Sequence, residues 1–177
     1  VCGYTKQASG ALLDNLRSLI LDGVIYIKQY VGIDGFEDLS IDYISANGGL
    51  LTWTTPVTEE NAVFGYGNPD VNEGLTPVYD NKGVFAGEYS VLTDGVVAKK
   101  YADVLYLRPY LKLEDGSYAY GPLKSYSVRE YCEGRLEKST NAKLKATCAS
   151  MLHYGAAAQI TLKYNTGDLA DANVAAN

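Results

Sequence analysis

The chain is expected to be mainly β, an immunoglobulin-like antiparallel β-sandwich followed by a C-terminal two-helix hairpin packed on it. Three observations predict this. Short apolar runs recur at hairpin spacing up to residue 126, separated by Gly, Asn and Asp turns and without helical periods between them. The apolar period then lengthens to that of a helix over residues 127–164. Hydrophobic residues make up 47% of the 177 residues and charged residues 20%, a balance that supports one sizeable core.

Residues 1–14 lack a clear period and form a lead-in segment; residues 15–126 form the β-sandwich. Its first hairpin is expected from Arg17–Leu21 and Val24–Val31 around Asp22-Gly23, a dipeptide suited to a tight turn. The second joins Ser40–Ala46 to Leu50–Thr55 through Asn47-Gly48-Gly49, stopped by Pro56. From Thr58 to Gly74, Gly, Asn, Asp and Glu surround Val63, Phe64 and Tyr66, which predicts a short strand and a long surface loop. A third hairpin runs from Leu75–Tyr79 through Asp80–Gly83 to Val84–Leu92, and a fourth from Val104–Leu113 through Glu114-Asp115-Gly116 to Ser117–Tyr126.

The hairpin of residues 127–164 belongs to the same module. Ser127 with Glu130 three residues on forms a capping pair, and Val128, Tyr131, Cys132 and Leu136 share a face. After Ser139-Thr140-Asn141, a second helix from Ala142 to Tyr164 carries the stripe Leu144, Cys148, Met151, Gly155, Ala158 and Leu162; Gly155 and the following alanines allow close backbone approach. Residues 165–177 are a small, polar linker or tail.

Composition narrows the partners. A formal net charge of -6 disfavours nucleic acid and anionic membrane surfaces, because no basic stripe neutralises phosphates, and no apolar run is long enough for membrane insertion. Catalytic chemistry is also hard to find. The single histidine, His153, sits beside the apolar stripe and suits a core or interface role better than a triad. Paired carboxylates such as Glu37-Asp38, Glu59-Glu60 and Glu114-Asp115 fall in turns, where they solvate the chain rather than flank a substrate. Phosphate loops, dinucleotide fingerprints and metalloprotease helices are missing from the sequence, so the chain is not expected to be an enzyme and no cofactor is called for. Asn68, Asp70 and Asn72 place oxygen donors at alternate positions before Glu73 and Gly74, a pattern open to structural calcium. An ordinary turn is the favoured alternative, since the glycine and a distal glutamate are out of place.

Cys2, Cys132 and Cys148 match no zinc spacing. Cys132 and Cys148 lie symmetrically about Thr140, so they face each other across the hairpin either as a disulfide or as two packed thiols.

Tyrosine is the outlier, 16 residues against 3 Phe and 1 Trp, and it bears on binding. Strand alternation sends Leu105, Leu107, Leu111 and Leu113 one way and Tyr106, Arg108, Tyr110 and Lys112 the other, with Tyr118 and Tyr120 beside them. Such a ladder offers ring faces for sugar C–H patches and a planar donor for hydroxyls. A solvated sheet face, or one covered by the hairpin, is the competing structural reading. Trp53, Tyr66, Asn68 and Asp70 complete the candidate ligand set, although a lone tryptophan is more often core than platform.

Three segments carry a resemblance: Tyr101-Ala102-Asp103-Val104-Leu105-Tyr106-Leu107-Arg108-Pro109-Tyr110, Lys124-Ser125-Tyr126-Ser127-Val128-Arg129-Glu130-Tyr131, and Met151-Leu152-His153-Tyr154-Gly155-Ala156-Ala157-Ala158-Gln159 with Tyr164-Asn165-Thr166. Over roughly residues 97–170 the chain resembles a β-sandwich plus helical-hairpin module of extracellular proteins of gut and rumen Firmicutes. Those proteins carry dockerins, cohesins or carbohydrate-binding modules in cellulosome and amylosome systems. The chain departs from that pattern at His153 and at Ile160–Leu162. The resemblance implies an extracellular or cell-surface module with neighbouring modules in the same chain. The expectation that follows is a non-catalytic polysaccharide-binding module, with a starch-like α-glucan ahead of plant cell-wall glycans, that attaches a bacterial complex or cell to its substrate. The alternative is a structural spacer or protein-binding module, an adhesin or scaffold part without glycan affinity. It predicts a buried Trp53 and a covered Tyr106 face.

Overall fold

The computed structural model describes residues 24–173. The elements in chain order are β1 (Val24–Ile25), β2 (Lys28–Gly32), α1 (Ile41–Asn47), β3 (Gly48–Trp53), β4 (Asp70–Glu73), β5 (Thr76–Tyr79) and β6 (Phe85–Leu92). They continue with β7 (Val96–Val97), a 3-10 helix (Ala98–Lys100), β8 (Leu105–Lys112), β9 (Tyr118–Tyr120), β10 (Lys124–Tyr126), α2 (Val128–Lys138) and α3 (Ala142–Thr161). Antiparallel sheets are thus followed by a C-terminal pair of helices in contact, and no sheet among the described residues closes into a barrel. The described residues form two compact units, Lys28–Asp94 with Leu105–Ser125, and residues 24–27 and 126–173 with Gly95–Val104.

The first unit holds two sheets. One has the order β2-β6-β5; in the other, β8 pairs with β3, β9 and β10, and β4 pairs with β3. In the central antiparallel pair Leu51 lies opposite Arg108 and Trp53 opposite Tyr106, while Leu50 lies opposite Pro109 and Thr52 opposite Leu107. The third expected hairpin is present as β5 and β6. Asp80 Oδ1 accepts from the N–H groups of Lys82 and Val84, and Gly83 supplies a left-handed φ of 77°.

Four expectations for this unit are corrected. Ser40–Ala46 is no strand: Ser40 Oγ accepts from Tyr43 N at 3.1 Å, Asp42 favours the first helical turn, and α1 results. Gly48-Gly49 is strand rather than turn. A Cβ on Gly48 would lie 2.5 Å from Leu75 Cδ1, and one on Gly49 would lie 2.5 Å from Asn72 O, so these glycines serve close packing. Val63–Tyr66 lies in turns, and the strand of that region is β4. The run Ser117–Tyr126 is split into β9 and β10 at Gly121-Pro122-Leu123, where Gly121 N donates to Pro109 O and proline has no N–H to pair. The expected strand Arg17–Leu21, its turn and Cys2 lie outside the described residues.

In the second unit β1 pairs with β7, and α3 packs on α2 and on the 3-10 helix. Both helix starts have local causes. Ser127 Oγ accepts from Glu130 N at 2.9 Å, and Asn141 Oδ1 accepts from the N–H groups of Lys143 and Leu144. Cys148, Met151 and Gly155 of the stripe are buried, joined by Leu152, Ala156 and Gln159, while Leu162 stands exposed past the end of α3. A Cβ on Gly155 would come within 2.8 Å of the buried Tyr101 ring, the close approach that its sequence position implied.

Residues 165–173, part of the segment expected as a polar linker or tail, return to the end of α3. The fully buried Gln159 donates to Asn165 O and Asp168 O and accepts from Ala170 N, so both ends of its amide are engaged by the returning chain. Arg129 adds a two-pronged bond to Asp168, and Tyr164 OH donates to Asp103 Oδ2. That pairing with Arg129 holds the Asp168 carboxyl below its ordinary range.

Candidate functional site

The aromatic ladder forms as the strand alternation predicts, but the chain itself covers it. Leu51, Trp53 and Tyr110 on the sheet make one buried cluster with Val57 and Ala62 of the segment following β3, and Phe64, Tyr106, Tyr120 and Leu123 pack around it. The loop between β3 and β4 is therefore a roof. Phe64 sits edge-on to Tyr110 with ring centroids 4.7 Å apart and also meets Tyr118 at 4.4 Å.

Polar contacts pin the roof. Arg108 Nε donates to Gly121 O at 2.8 Å, and its Nη1 donates to the carbonyls of Glu59 and Ala62. Its Nη2 lies 2.9 Å from Glu59 Oε2, while Glu59 Oε1 accepts from Leu123 N at 2.8 Å. The Arg108 side chain is 12% exposed and lies 5.1 Å over the Tyr120 ring, so its donors are spent on the protein. Trp53 Nε1 donates to Tyr66 O at 2.7 Å, and Phe64 N donates to Tyr120 OH.

These positions decide what the ladder can do. Trp53 is 1% exposed and offers no ring face to a ligand, which corrects its assignment as a stacking platform. Tyr110 is buried too, and its burial raises the phenol above the ordinary value, with Glu73 and Tyr118 adding to the effect. Arg108 is a structural clamp, not a free hydroxyl donor. Tyr106 and Tyr120 are partly buried against the cluster. Of the proposed ligand residues, Tyr66 (46%), Tyr118 (38%), Asn68 and Asp70 remain exposed. Asn68 stands at positive φ in the roof, and Asp70 opens β4 opposite Thr52.

Sequence reasoning missed Glu59, Ala62 and Phe64. The signal was available in the apolar Val57, Ala62, Val63 and Phe64 inside a polar stretch, which a solvated loop would have no reason to carry.

The opposite face of the sheet borders a groove of about 300 Å³. Its lining includes Ile33, Phe36, Ile44, Leu107 and Leu111 together with Tyr30, Tyr110 and Tyr120, and the exposed Asp34 and Lys124 also border it. The volume is at the lower end of small-ligand pockets.

Other candidates are dispersed. His153 is exposed rather than in the core, its Nδ1 3.7 Å from Asp171 Oδ2. Asn72, of the calcium pattern, donates to Asp94 Oδ1, and no group of three His, Cys, Asp or Glu among the described residues is placed to hold a metal. Cys132 and Cys148 are buried and stand as thiols. Among the described residues no helix is long and apolar enough to cross a membrane. Comparison of the chain with protein-family models, with curated proteins and with solved structures finds no match.

Proposed function

We propose that this chain is a non-catalytic structural or protein-binding module of a larger extracellular bacterial protein, rather than a sugar-stacking one. The observation that supports it best is the roof. A glycan platform needs an open aromatic row with free polar groups at its edge, whereas Trp53 and Tyr110 are core and Arg108 is committed to Glu59, Ala62 and Gly121. In this reading the unit is an immunoglobulin-like sandwich whose two sheets border the groove. The tyrosines act as packing groups that tolerate partial exposure, and the groove face meets neighbouring modules or a protein ligand.

A second reading keeps the polysaccharide. Tyr66 and Tyr118 are exposed enough to stack on sugar rings, and a starch-like α-glucan would be the ligand. Two such contacts, each worth about 1 kcal/mol beyond area burial, would hold a glycan weakly and would need repeated modules.

Affinity electrophoresis through starch, xylan, glucomannan and soluble cellulose derivatives separates the two. Migration equal to that of a non-binding protein in every gel is the expected result. Retardation in one gel, abolished by Tyr66→Ala with Tyr118→Ala and the fold intact, would overturn it in favour of the glycan.

A further inference from the structure

We propose that Cys132 and Cys148 are a disulfide-forming pair, joined as the chain folds in an oxidising environment, and that the bond staples the C-terminal helical hairpin. The inference does not depend on the module's ligand.

Four observations carry it. Cys132 lies on α2 and Cys148 on α3, two helices in contact and joined by the short turn Ser139–Asn141. The two positions are symmetric about Thr140, which brings them level in an antiparallel hairpin. Both side chains are buried, at 0% and 1% exposure. The two thiols also interact with each other across the helix pair.

The bonding step is a thiol–disulfide exchange with a small-molecule or protein disulfide as oxidant. Cys148, deprotonated, attacks one sulfur of the oxidant, whose S–S bond breaks and whose other sulfur leaves as a thiolate. Cys132, deprotonated in turn, attacks Cys148 Sγ and displaces the second sulfur of the oxidant. Two S–H bonds are lost and one S–S bond is formed, while the oxidant is reduced to two thiols. The Cys148 thiol is held below its ordinary value, first by the hydrogen bond with Cys132 and also by Arg135, against the opposing effect of burial. Burial requires the exchange to precede closure of the hairpin or to accompany its opening. Once closed, the same burial shields the bond from reductants.

The test uses the full chain carrying Cys2→Ser, so that only the pair remains, refolded in a mixture of reduced and oxidised glutathione. Expected are no titratable thiol in denaturant, a mass about 2 Da below that of the reduced protein, and a peptide map with Cys132 linked to Cys148. Reduction should lower the Tm by roughly 5 to 10 °C, and a Cys132→Ala, Cys148→Ala variant should be indifferent to reductant. Two titratable thiols in a refolded protein with native circular dichroism would overturn the pairing. A bond that forms but leaves the Tm unchanged on reduction would overturn the staple.

Discussion

One face of the five-stranded sheet is closed by the chain's own loop, whereas the opposite face borders a groove of about 300 Å³. The closed face carries the rings and the guanidinium, groups with obvious binding chemistry, and uses them internally. The groove lining mixes aliphatic side chains with Tyr30, Phe36 and, from the ladder itself, Tyr110 and Tyr120. What separates them is hydrogen-bond accounting: Arg108 and Trp53 find partners within the protein, so their polar atoms lock a roof in place instead of awaiting a ligand. A residue type suited to recognition becomes a fold determinant once its partners are supplied by the chain.

Breaking the closed face should be costly. Trp53→Ala should lower the unfolding free energy by about 4 kcal/mol, since it removes the largest member of the cluster and the anchor of Tyr66 O. Urea unfolding followed by circular dichroism checks this. Arg108→Lys should cost about 2 kcal/mol, because a single ammonium cannot reach Gly121 O, Ala62 O and Glu59 together. The same variant should become cleavable by proteases between residues 54 and 67, whereas Glu59→Gln should change stability by less than about 1 kcal/mol, its side chain being 57% exposed.

A pH profile sharpens the contrast. Burial raises the Tyr110 phenol above its ordinary value of 10.0, so the folded state holds its proton where the unfolded state releases it. The stability from this group is full below pH 10 and is lost as pH rises through the folded value. Tyr110→Phe should flatten part of the alkaline loss of stability relative to the parent. On the open face, Ile33→Glu should change stability little, by about 1 kcal/mol or less, yet abolish the fluorescence of an apolar dye seated in the groove.

Features with local causes were legible in the sequence. The β5–β6 turn follows from Asp80 and Gly83, and α2 follows from Ser127 capping Glu130 N. Ser40–Ala46 misled because the following Asn47-Gly48-Gly49 has the composition of a hairpin turn, while the cap at Ser40 starts a helix. Alternation also located the ladder correctly on one face of β8. Which face would be covered was not legible, because the cover comes from carbonyls 49 and 46 positions away in sequence from Arg108. Nor was the returning chain from Asn165 to Ala170, whose anchor is the buried amide of Gln159 rather than any apolar period.

The chain has one tryptophan, so its fluorescence reports the closed face alone. Acrylamide quenching of the native protein, with and without soluble starch, is the most direct measurement. A blue-shifted emission that is weakly quenched and indifferent to the polysaccharide is the predicted result. A red-shifted, readily quenched Trp53 that becomes protected when starch is added would contradict the account.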